Sequence, residues 1–480
     1  MSFVLLSITV QGLRGIWETD EGRYTNVAME MLRYDDFIHP MIHHEVPHYT
    51  KPPMTYWLIA ASVKTFGRNE FAARLPSNLA FYLTICLLFF YGRFFLFKKP
   101  WLAALVYGTC LMPLGGRFVI STDMLLAFFE TLAMVNFVAA FSSEPGTRRR
   151  LFTLAGWAGF GLAFLTKGPP GLLPLAALVI FAFATKKRYG LSWFFSVSGI
   201  ILFFVIAGSW FAAVIIDRPG LFHYFWHDEV VGRVFTGKFK RNSQWYGGLR
   251  VYVPTLILGT LPWTLVFIQR FFRIREVFSR RFWQRVRTDN PLLFLITLWI
   301  ILPLVVFFIA KSRLTLYVLP LFTPIAILCA MWIEDGFVLD KKKTWLLGFW
   351  MAFIIAVYAG SGFITNKRDS RAFAELIGRL HPGPVNEVVF VGRSPYYGLN
   401  FYLNAEVERV PRGLDGDRRV AWLSSELSVK EGPRIWVVSA EMLPVFAEQC
   451  LKKGFSYKVL GEFRKSGILE LTGGKRVAPE

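Results

Sequence analysis

Long apolar runs dominate this chain and leave it few ways to fold. Ten of them are separated by short polar loops, at 75–97, 101–119, 123–141, 151–166, 168–185, 193–216, 249–270, 291–310, 314–334 and 344–364. About 20 apolar residues are needed for a helix to cross the hydrocarbon core of a bilayer. Hydrophobic residues make up 54% of the chain. The sequence therefore predicts a polytopic α-helical membrane protein.

The apolar start of the chain, before Gln11, is too short for an ordinary span. We expect either that the true N-terminus lies upstream or that this first span is partial, which brings the expected number of transmembrane helices to about 11. No cleavable signal peptide is predicted, because the start has neither a charged leading region nor a small-residue cleavage site.

The charges of the loops predict how the chain is oriented. Every second loop is basic, and these loops together hold 19 Lys/Arg against 5 Asp/Glu, at 92–100, 142–150, 186–192, 270–290 and 335–344. Basic loops stay in the cytoplasm. The first long loop and the tail are then expected on the outer side. The net charge of +21 is spread over these short loops, so it does not indicate a nucleic-acid partner.

The outer side also receives the polar residues that are candidates for chemistry. In the first loop these are Asp20, Glu21, Arg23 and Lys51, and other loops contribute Asp123, Lys167, Arg233, Lys311 and Tyr317. A carboxylate can accept a proton from an attacking group, and cations can neutralise a lipid phosphate.

Each of these residues also has a structural interpretation. The first-loop charges are compatible with a solvated amphipathic helix. Lys167 and Lys311 are compatible with side chains that extend from helix ends to the membrane surface, and Asp123 with a helix cap.

The histidines are unevenly distributed. Six of the seven are expected on the outer side near the membrane, at His39, His43, His44, His48, His223 and His227. His223 and His227 are four residues apart, so they can share a helix face and hold a divalent metal. A loose pair of histidines matches no closed structural metal site, and no cofactor is predicted with certainty.

The first loop and the tail carry signals for regular structure outside the membrane. Helices are expected at 20–36 and, after Pro52 and Pro53, at 54–66. From residue 366 the composition changes, and helices at 371–380 and 441–453 alternate with strands at 385–391 and 434–439. The predicted division is a transmembrane domain, 1–365, and an outer α/β domain, 366–480.

Six motifs in order give the chain a family resemblance: RGIWETDEGRY, YTKPPMTYWL, STDMLLAFF, FLTKGP, LGTLPW and KSRLTLYVLPLF. They span most of residues 12–330. With these motifs the chain resembles the polyprenyl-phosphate-dependent glycosyltransferases of the GT-C fold. The likeness is nearest to the lipid A 4-amino-4-deoxy-L-arabinose transferases and more distant to the protein O-mannosyltransferases.

The resemblance implies an activity and roles for particular residues. A sugar carried on undecaprenyl phosphate would pass, with inversion, to a lipid or glycan acceptor at the periplasmic face of a bacterial inner membrane. Asp20 matches the family's catalytic first-loop aspartate, and Arg23 the arginine after it. Lys51 matches a lysine that contacts the carrier phosphate, and Arg233 and Tyr317 resemble two further phosphate contacts.

The chain departs from the family pattern at two positions. Thr50 stands where relatives often have a glutamate linked to a metal, which weakens any metal site implied by the resemblance. Arg233 lies in GRVF, where relatives commonly read RF. Lys51, Arg233 and Tyr317 are nevertheless expected to converge on one carrier phosphate.

Other functions stay open at this stage. A protein O-glycosyltransferase of the same fold would share these motifs. A secondary transporter would instead place ionisable residues in mid-membrane and show repeat symmetry, whereas the charges here gather at one face. The sequence does not identify the sugar or the acceptor.

Overall fold

The computed structural model describes residues 9–44, 46–96, 98–231, 241–271, 280–364, 366–410, 416–429 and 432–472. By contacts the chain forms two compact units. The first comprises the described parts of Met1–Gln11, Tyr49–Ser62 and Arg74–Ser361, and the second those of Gly12–His48, Val63–Ala73 and Gly362–Glu480. Two parts of the first loop therefore group with the tail. The boundary at 365/366, which follows composition, stays a prediction.

The first loop contains helix α1, Asp20–Tyr34, a two-stranded hairpin, and helix α2, Met54–Phe66. The hairpin pairs β1, Met41–His43, with β2, Val46–Pro47, in antiparallel register. Both helices lie where the sequence predicts them. Helix α1 ends at Asp35, which adopts the left-handed conformation (φ 53°) that Asp tolerates better than most residues.

Helices make up most of the described residues between this loop and the tail. In chain order they are α3 Glu70–Tyr91, α4 Leu102–Thr109, α5 Leu111–Gly116, α6 Thr122–Phe141, α7 Thr147–Lys167, α8 Leu173–Tyr189, α9 Val197–Asp217, α10 Gly220–His223, α11 Gly247–Gly259, α12 Thr264–Phe271, α13 Arg280–Asp289, α14 Pro291–Ile309, α15 Phe322–Ile333 and α16 Lys341–Ser361. A π-helical segment, Tyr224–Val231, follows α10, and a 3₁₀ segment, Thr315–Leu321, precedes α15.

Seven helical stretches in the described part of the chain are long and apolar enough to cross a membrane. They are Glu70–Phe94, Thr122–Phe141, Pro169–Tyr189, Val197–Asp217, Pro291–Ile309, Thr315–Ile333 and Lys341–Ser361. Each coincides with one of the ten predicted spans. The span predicted at 151–166 lies within α7, a 21-residue helix that also carries Arg148, Arg149, Arg150 and Lys167.

The two remaining predicted spans, 101–119 and 249–270, are not single helices. The first breaks at Cys110, which is extended (ψ 133°), and the second breaks at 260–263, where Pro262 has no backbone N–H to donate. The breaks lie against each other: the Leu111 N–H donates to the Leu261 carbonyl at 2.9 Å. Irregular backbone at membrane depth is tolerated where protein neighbours satisfy its polar groups, and these two breaks satisfy each other.

Helices α6 and α7 form the centre of the first unit. Helix α6 is buried along most of its length, and α7 approaches it through glycine. A Cβ on Gly159 would lie 2.7 Å from the backbone nitrogen of Ala133, and one on Gly156 would meet the Phe137 ring. Small residues at such an interface let two helix backbones approach closely. This contact fixes α6 and α7 relative to each other.

The tail is a five-stranded sheet with helices on both faces. Its strands are β3 Glu387–Val391, β4 Glu406–Arg409, β5 Arg434–Ser439, β6 Ser456–Glu462 and β7 Ser466–Thr472, in the order β4-β3-β5-β7-β6. β4, β3 and β5 are parallel, and β7 and β6 are antiparallel additions. The tail helices are α17 Ser370–Leu380, α18 Leu399–Leu403, α19 Gly416–Glu426 and α20 Leu443–Lys452.

Alternation along the central strands explains the layers of the tail. Val388 points to a core that includes Phe373 and Ile377 of α17. Its neighbour Val389 points to the opposite core, with Trp436 and with Phe446 of α20. Successive strand residues face opposite sides, so a strand with apolar residues at every position needs cover on both faces.

Candidate active site

Asp20 is the first residue of α1, and its carboxylate is paired but accessible. Arg23 Nη2 donates to Asp20 Oδ1 at 2.6 Å, one helical turn along. The Asp20 side chain is 43% exposed. The Arg23 guanidinium also lies 5.5 Å from the centre of the Tyr24 ring. The structure therefore brings together the two first-loop residues that the resemblance singles out, in a position that solvent and a small hydroxyl group can reach.

Glu21 has a different environment from its neighbour. Its Oε1 accepts from Arg14 at 2.5 Å and its Oε2 accepts from the Trp17 N–H at 3.0 Å. Both Glu21 and Arg14 are buried, and the guanidinium of Arg14 lies 4.1 Å from the centre of the Trp17 ring. Glu21 thus holds the segment that leads into α1.

A buried carboxyl that the sequence did not single out lies two residues before Asp20. Glu18 Oε1 accepts from Ser370 Oγ at 2.8 Å and from the Gly398 N–H at 2.7 Å, and both partners belong to the tail. Burial raises the pKa of Glu18 to about 8, although its hydrogen bonds to Gly398 and Ser370 act in the opposite direction. A Cβ on Gly22 would lie 2.1 Å from the same oxygen, so only glycine leaves room for this arrangement.

Backbone bonds continue the connection between this segment and the tail. The Glu18 N–H donates to the Arg368 carbonyl at 2.8 Å, and the Ser370 N–H donates to the Ile16 carbonyl at 2.9 Å. Further tail side chains hold the chain beyond Asp20. Asn400 donates to Glu30 Oε1 of α1 at 2.6 Å, and Arg371 pairs with Glu70 at 2.6 Å. The helix that carries Asp20 is therefore fixed by residues more than 300 positions away.

In the first unit, the structure joins three predicted residues from three segments. Lys167, the last residue of α7, donates from Nζ to Asp123 Oδ1 in the first turn of α6. The same Nζ lies 4.4 Å from the centre of the Tyr317 ring. The side chains of Lys167 and Asp123 are only 9% and 8% exposed.

The structural interpretations of Asp123 and Lys167 do not describe this arrangement. The N-cap of α6 is Ser121, whose Oγ accepts from the Asp123 N–H at 3.2 Å, so Asp123 is not the cap. The Lys167 Nζ is bonded to Asp123, and only 9% of its side chain is exposed, which a side chain reaching towards solvent would not show. Glu130, which the sequence reasoning missed, lies seven residues beyond Asp123 on the same face of α6 and is also buried. The only sequence signal for it was an acid inside an apolar run.

The other predicted phosphate contacts have separate surroundings. Lys51 Nζ donates to the Thr50 carbonyl at 3.0 Å, in the turn before α2, and its side chain is partly exposed. Lys311 is exposed. Arg233 falls outside the described residues. The convergence of Lys51, Arg233 and Tyr317 on one phosphate stays a prediction.

The pair His223 and His227 is formed but incomplete as a metal site. The rings of His223 and His227 stack, with centres 5.0 Å apart, and both residues are exposed. Zinc sites in proteins use three or four protein ligands. Among the described residues, groups of three metal-ligating side chains occur elsewhere, and neither of these histidines is part of one.

Comparison with known proteins finds similarity to glycosyltransferases. Residues 50–210 match the family described as dolichyl-phosphate-mannose-protein mannosyltransferase. Two undecaprenyl phosphate-alpha-4-amino-4-deoxy-L-arabinose arabinosyl transferases are similar in sequence. The one from Shewanella sediminis is 30% identical over 70% of this chain, and the one from Pectobacterium carotovorum is 32% identical over 69%. The chain spans 59% and 58% of the lengths of these relatives.

Among solved structures, the chain is similar to the crystal structure of ArnT from Cupriavidus metallidurans bound to undecaprenyl phosphate. The match covers 100% of this chain and 98% of that one, with a TM-score of 0.75 and 19% identity. At this identity the likeness shows the fold. The chain is therefore a multi-pass membrane protein of the GT-C fold, and the resemblance of its motifs to the polyprenyl-phosphate glycosyltransferase family is confirmed.

Proposed function

We propose that this protein is an inverting glycosyltransferase that moves a sugar from undecaprenyl phosphate to lipid A or a related envelope glycan. The reaction would occur at the periplasmic face of a bacterial inner membrane. The observation that carries the proposal is the sequence similarity, over about 70% of this chain, to enzymes named for sugar transfer from that carrier. Because the chain spans less than two thirds of those enzymes, its activity and substrates are proposed from their names and from its own residues.

The proposed reaction is a single displacement at the anomeric carbon. An acceptor hydroxyl oxygen bonds to that carbon while the bond from the carbon to the phosphate oxygen breaks. The electron pair of the broken bond stays with the leaving phosphate, and the hydroxyl proton passes to Asp20. Attack opposite the leaving group inverts the configuration. Asp20 suits the role of proton acceptor, since Arg23 holds it in position while much of its side chain remains exposed.

The leaving group is a phosphate ester, so the reaction depends on cations more than on a second acid. Charge that develops on the leaving oxygen is stabilised by donors already in place. We assign this role to Lys51, Lys167 and Tyr317, with Arg233 as a further contact. In the absence of carrier, the Lys167 ammonium is paired with Asp123 and lies over the Tyr317 ring. A phosphate oxygen is a stronger partner for that ammonium than a ring face is.

The activity can be tested with the purified chain, undecaprenyl-phosphate sugar donors and lipid A, with products detected by mass spectrometry. Asp20→Asn should abolish transfer while the protein stays folded. Asp35→Asn is a matched control, because Asp35 is an exposed acid of the same loop at a left-handed position that Asn also adopts readily. Near-normal turnover by Asp20→Asn would remove Asp20 from the catalytic role. Absence of transfer by the unaltered chain to any lipid A or envelope glycan acceptor would overturn the proposed acceptor class.

One observation favours a second candidate, transfer to protein. The family that matches residues 50–210 is described as a protein mannosyltransferase. The two candidates differ in what changes when the gene is deleted. Loss of a sugar from lipid A supports the first proposal. Unchanged lipid A, together with loss of a sugar from Ser or Thr of exported peptides, supports the second.

A further inference from the structure

The histidines of the first loop are not used by the proposed reaction, and two of them lie next to a tail carboxylate. His43 ends β1 of the hairpin and His44 follows it, while Glu406 is the first residue of β4. His44 Nδ1 lies 2.6 Å from Glu406 Oε2. One ligand atom from each of the three residues lies within 4.8 Å of the others. We propose that His43, His44 and Glu406 form a binding site for a divalent transition-metal ion of the zinc class.

The set of donor atoms favours zinc. Two imidazole nitrogens and one carboxylate oxygen are a common protein ligand set for Zn²⁺, with a water at the fourth position. Bonds of about 2.1 Å in a tetrahedral site place neighbouring donors about 3.3 Å apart. The observed separations, from 2.6 Å to at most 4.8 Å, bracket that value. A hydrogen lies between His44 Nδ1 and Glu406 Oε2, and a bound metal ion would take its place. The nitrogen and the oxygen would then move apart by less than an ångström.

The ion would bind Glu406 Oε2, which also accepts from the His44 backbone N–H at 3.3 Å. Its other oxygen, Oε1, accepts from the Tyr34 hydroxyl and lies 3.4 Å from Arg33 Nη1. Hydrogen bonds of this kind orient a ligating carboxylate and are a usual part of metal sites. Arg33 opposes a cation here, but its Nη1 is also bonded to Glu30 Oε1 at 2.8 Å. The positive charge of Arg33 is thus divided between two carboxylates.

The burial of the three residues suits a site that an ion can enter. His43 is buried, whereas 33% of the His44 side chain is exposed. The ion would be reached from the His44 side, where water can supply the fourth ligand. Because the ligands come from the first-loop hairpin and from the tail sheet, one ion would tie together two parts of the second unit that are more than 360 residues apart in the chain.

The test uses the full-length protein in detergent, stripped with a chelator and titrated with Zn²⁺ in a calorimeter, without sugar donor or acceptor. We expect saturable binding of one ion per chain and a higher melting temperature with Zn²⁺. His44→Ala and Glu406→Gln should each weaken binding by at least about 100-fold, because loss of an outer-shell partner alone costs up to about that much. Both residues are more exposed than His43, so the folded state of each variant can be checked by its melting temperature without metal.

Two matched controls separate this site from other histidines. His48→Ala removes an imidazole of the same loop, and a His223→Ala/His227→Ala variant removes the stacked pair. Both should bind Zn²⁺ as the unaltered chain does. Absence of saturable binding would leave His44 and Glu406 as an ion pair only, and would overturn the proposal. So would binding that survives Glu406→Gln or is lost with the stacked pair. None of these outcomes depends on sugar transfer, so the proposal stands or falls separately from the proposed function.

Discussion

Raising the pH should weaken the attachment of the first loop to the tail, and Glu18 should be the cause. Burial raises the pKa of this carboxyl from 4.5 to about 8. Between these values the unfolded chain releases the proton while the folded chain retains it. The contribution of the neutral Glu18 carboxyl to the free energy of unfolding is therefore fully present below pH 4.5, and it falls as the pH rises towards 8. The pKa difference corresponds to a loss of at most about 5 kcal/mol from the free energy of unfolding.

The variant Glu18→Gln isolates this effect. Its amide oxygen still accepts from Ser370 and Gly398, but the side chain no longer titrates. We expect the melting temperature of the unaltered protein in detergent to fall by up to roughly 5 °C more than that of Glu18→Gln between pH 5 and pH 9. Scanning fluorimetry of the purified proteins measures this. Glu375→Gln, at an exposed carboxylate of α17, should follow the unaltered protein across the range.

Parallel melting curves for the unaltered protein and Glu18→Gln would refute this reasoning. They would mean that the buried carboxylate is accommodated when ionised, through its bonds to Ser370 and Gly398. A Glu18→Gln protein that melts far below the unaltered one at pH 5 would also refute it, because the amide would then fail to replace a neutral carboxyl.

Three further predictions concern the membrane unit and its orientation. Lys51→Ala should weaken donor binding about tenfold or more, which raises the KM for the donor. Tyr317→Phe should weaken it less, because this change removes a hydroxyl and not a charge. Equal effects of the two variants would contradict this order. Lys167→Met alone should destabilise the protein by about 3–5 kcal/mol, because it leaves Asp123 buried without its cation. In thermal melts, the double variant with Asp123→Leu should recover most of that loss. Additive losses would show that the two residues are not coupled. A reporter fused after Glu480 should be active only in the periplasm, and cytoplasmic activity would reverse the proposed orientation.

The sequence predicted the elements better than it predicted how they meet. Apolar runs of about 20 residues located seven spans, because composition alone decides whether a helix can cross a membrane. Short continuous apolar runs, the first ended by Gly392, located the central strands of the tail. The breaks at Cys110 and at 260–263 were missed, since apolar residues continue through both. Pro262 was a visible signal, but nothing local shows that Leu261 would accept from Leu111.

Partners that are distant in sequence explain what the sequence could not show of the site. Asp20 and Arg23 are one helical turn apart, so their pairing is a local property. Glu18 meets Ser370 across 352 positions, and no feature of either segment specifies the other. The family resemblance pointed to Asp20 but gave no role to Glu18, whose partners belong to the tail, and the tail carries none of the family motifs.

The phosphate contact proposed for Lys167 would explain its buried ion pair with Asp123 better than stability does. Moving two charges out of water costs several kcal/mol for each ion, and their mutual attraction often does no more than offset that cost. Two well-packed apolar residues at these positions would hold α6 and α7 together at least as well. The close contacts of Gly156 and Gly159 with α6 already pack α7 against it.

An apolar pair would not place a desolvated cation beside Tyr317, as Lys167 does. In the proposed reaction, Lys167 would bind the carrier phosphate without first being withdrawn from bulk water, because Asp123 already balances its desolvated charge. The cost of burying the ammonium is then met during folding rather than during substrate binding, which is how a preorganised site stabilises charge on a leaving group.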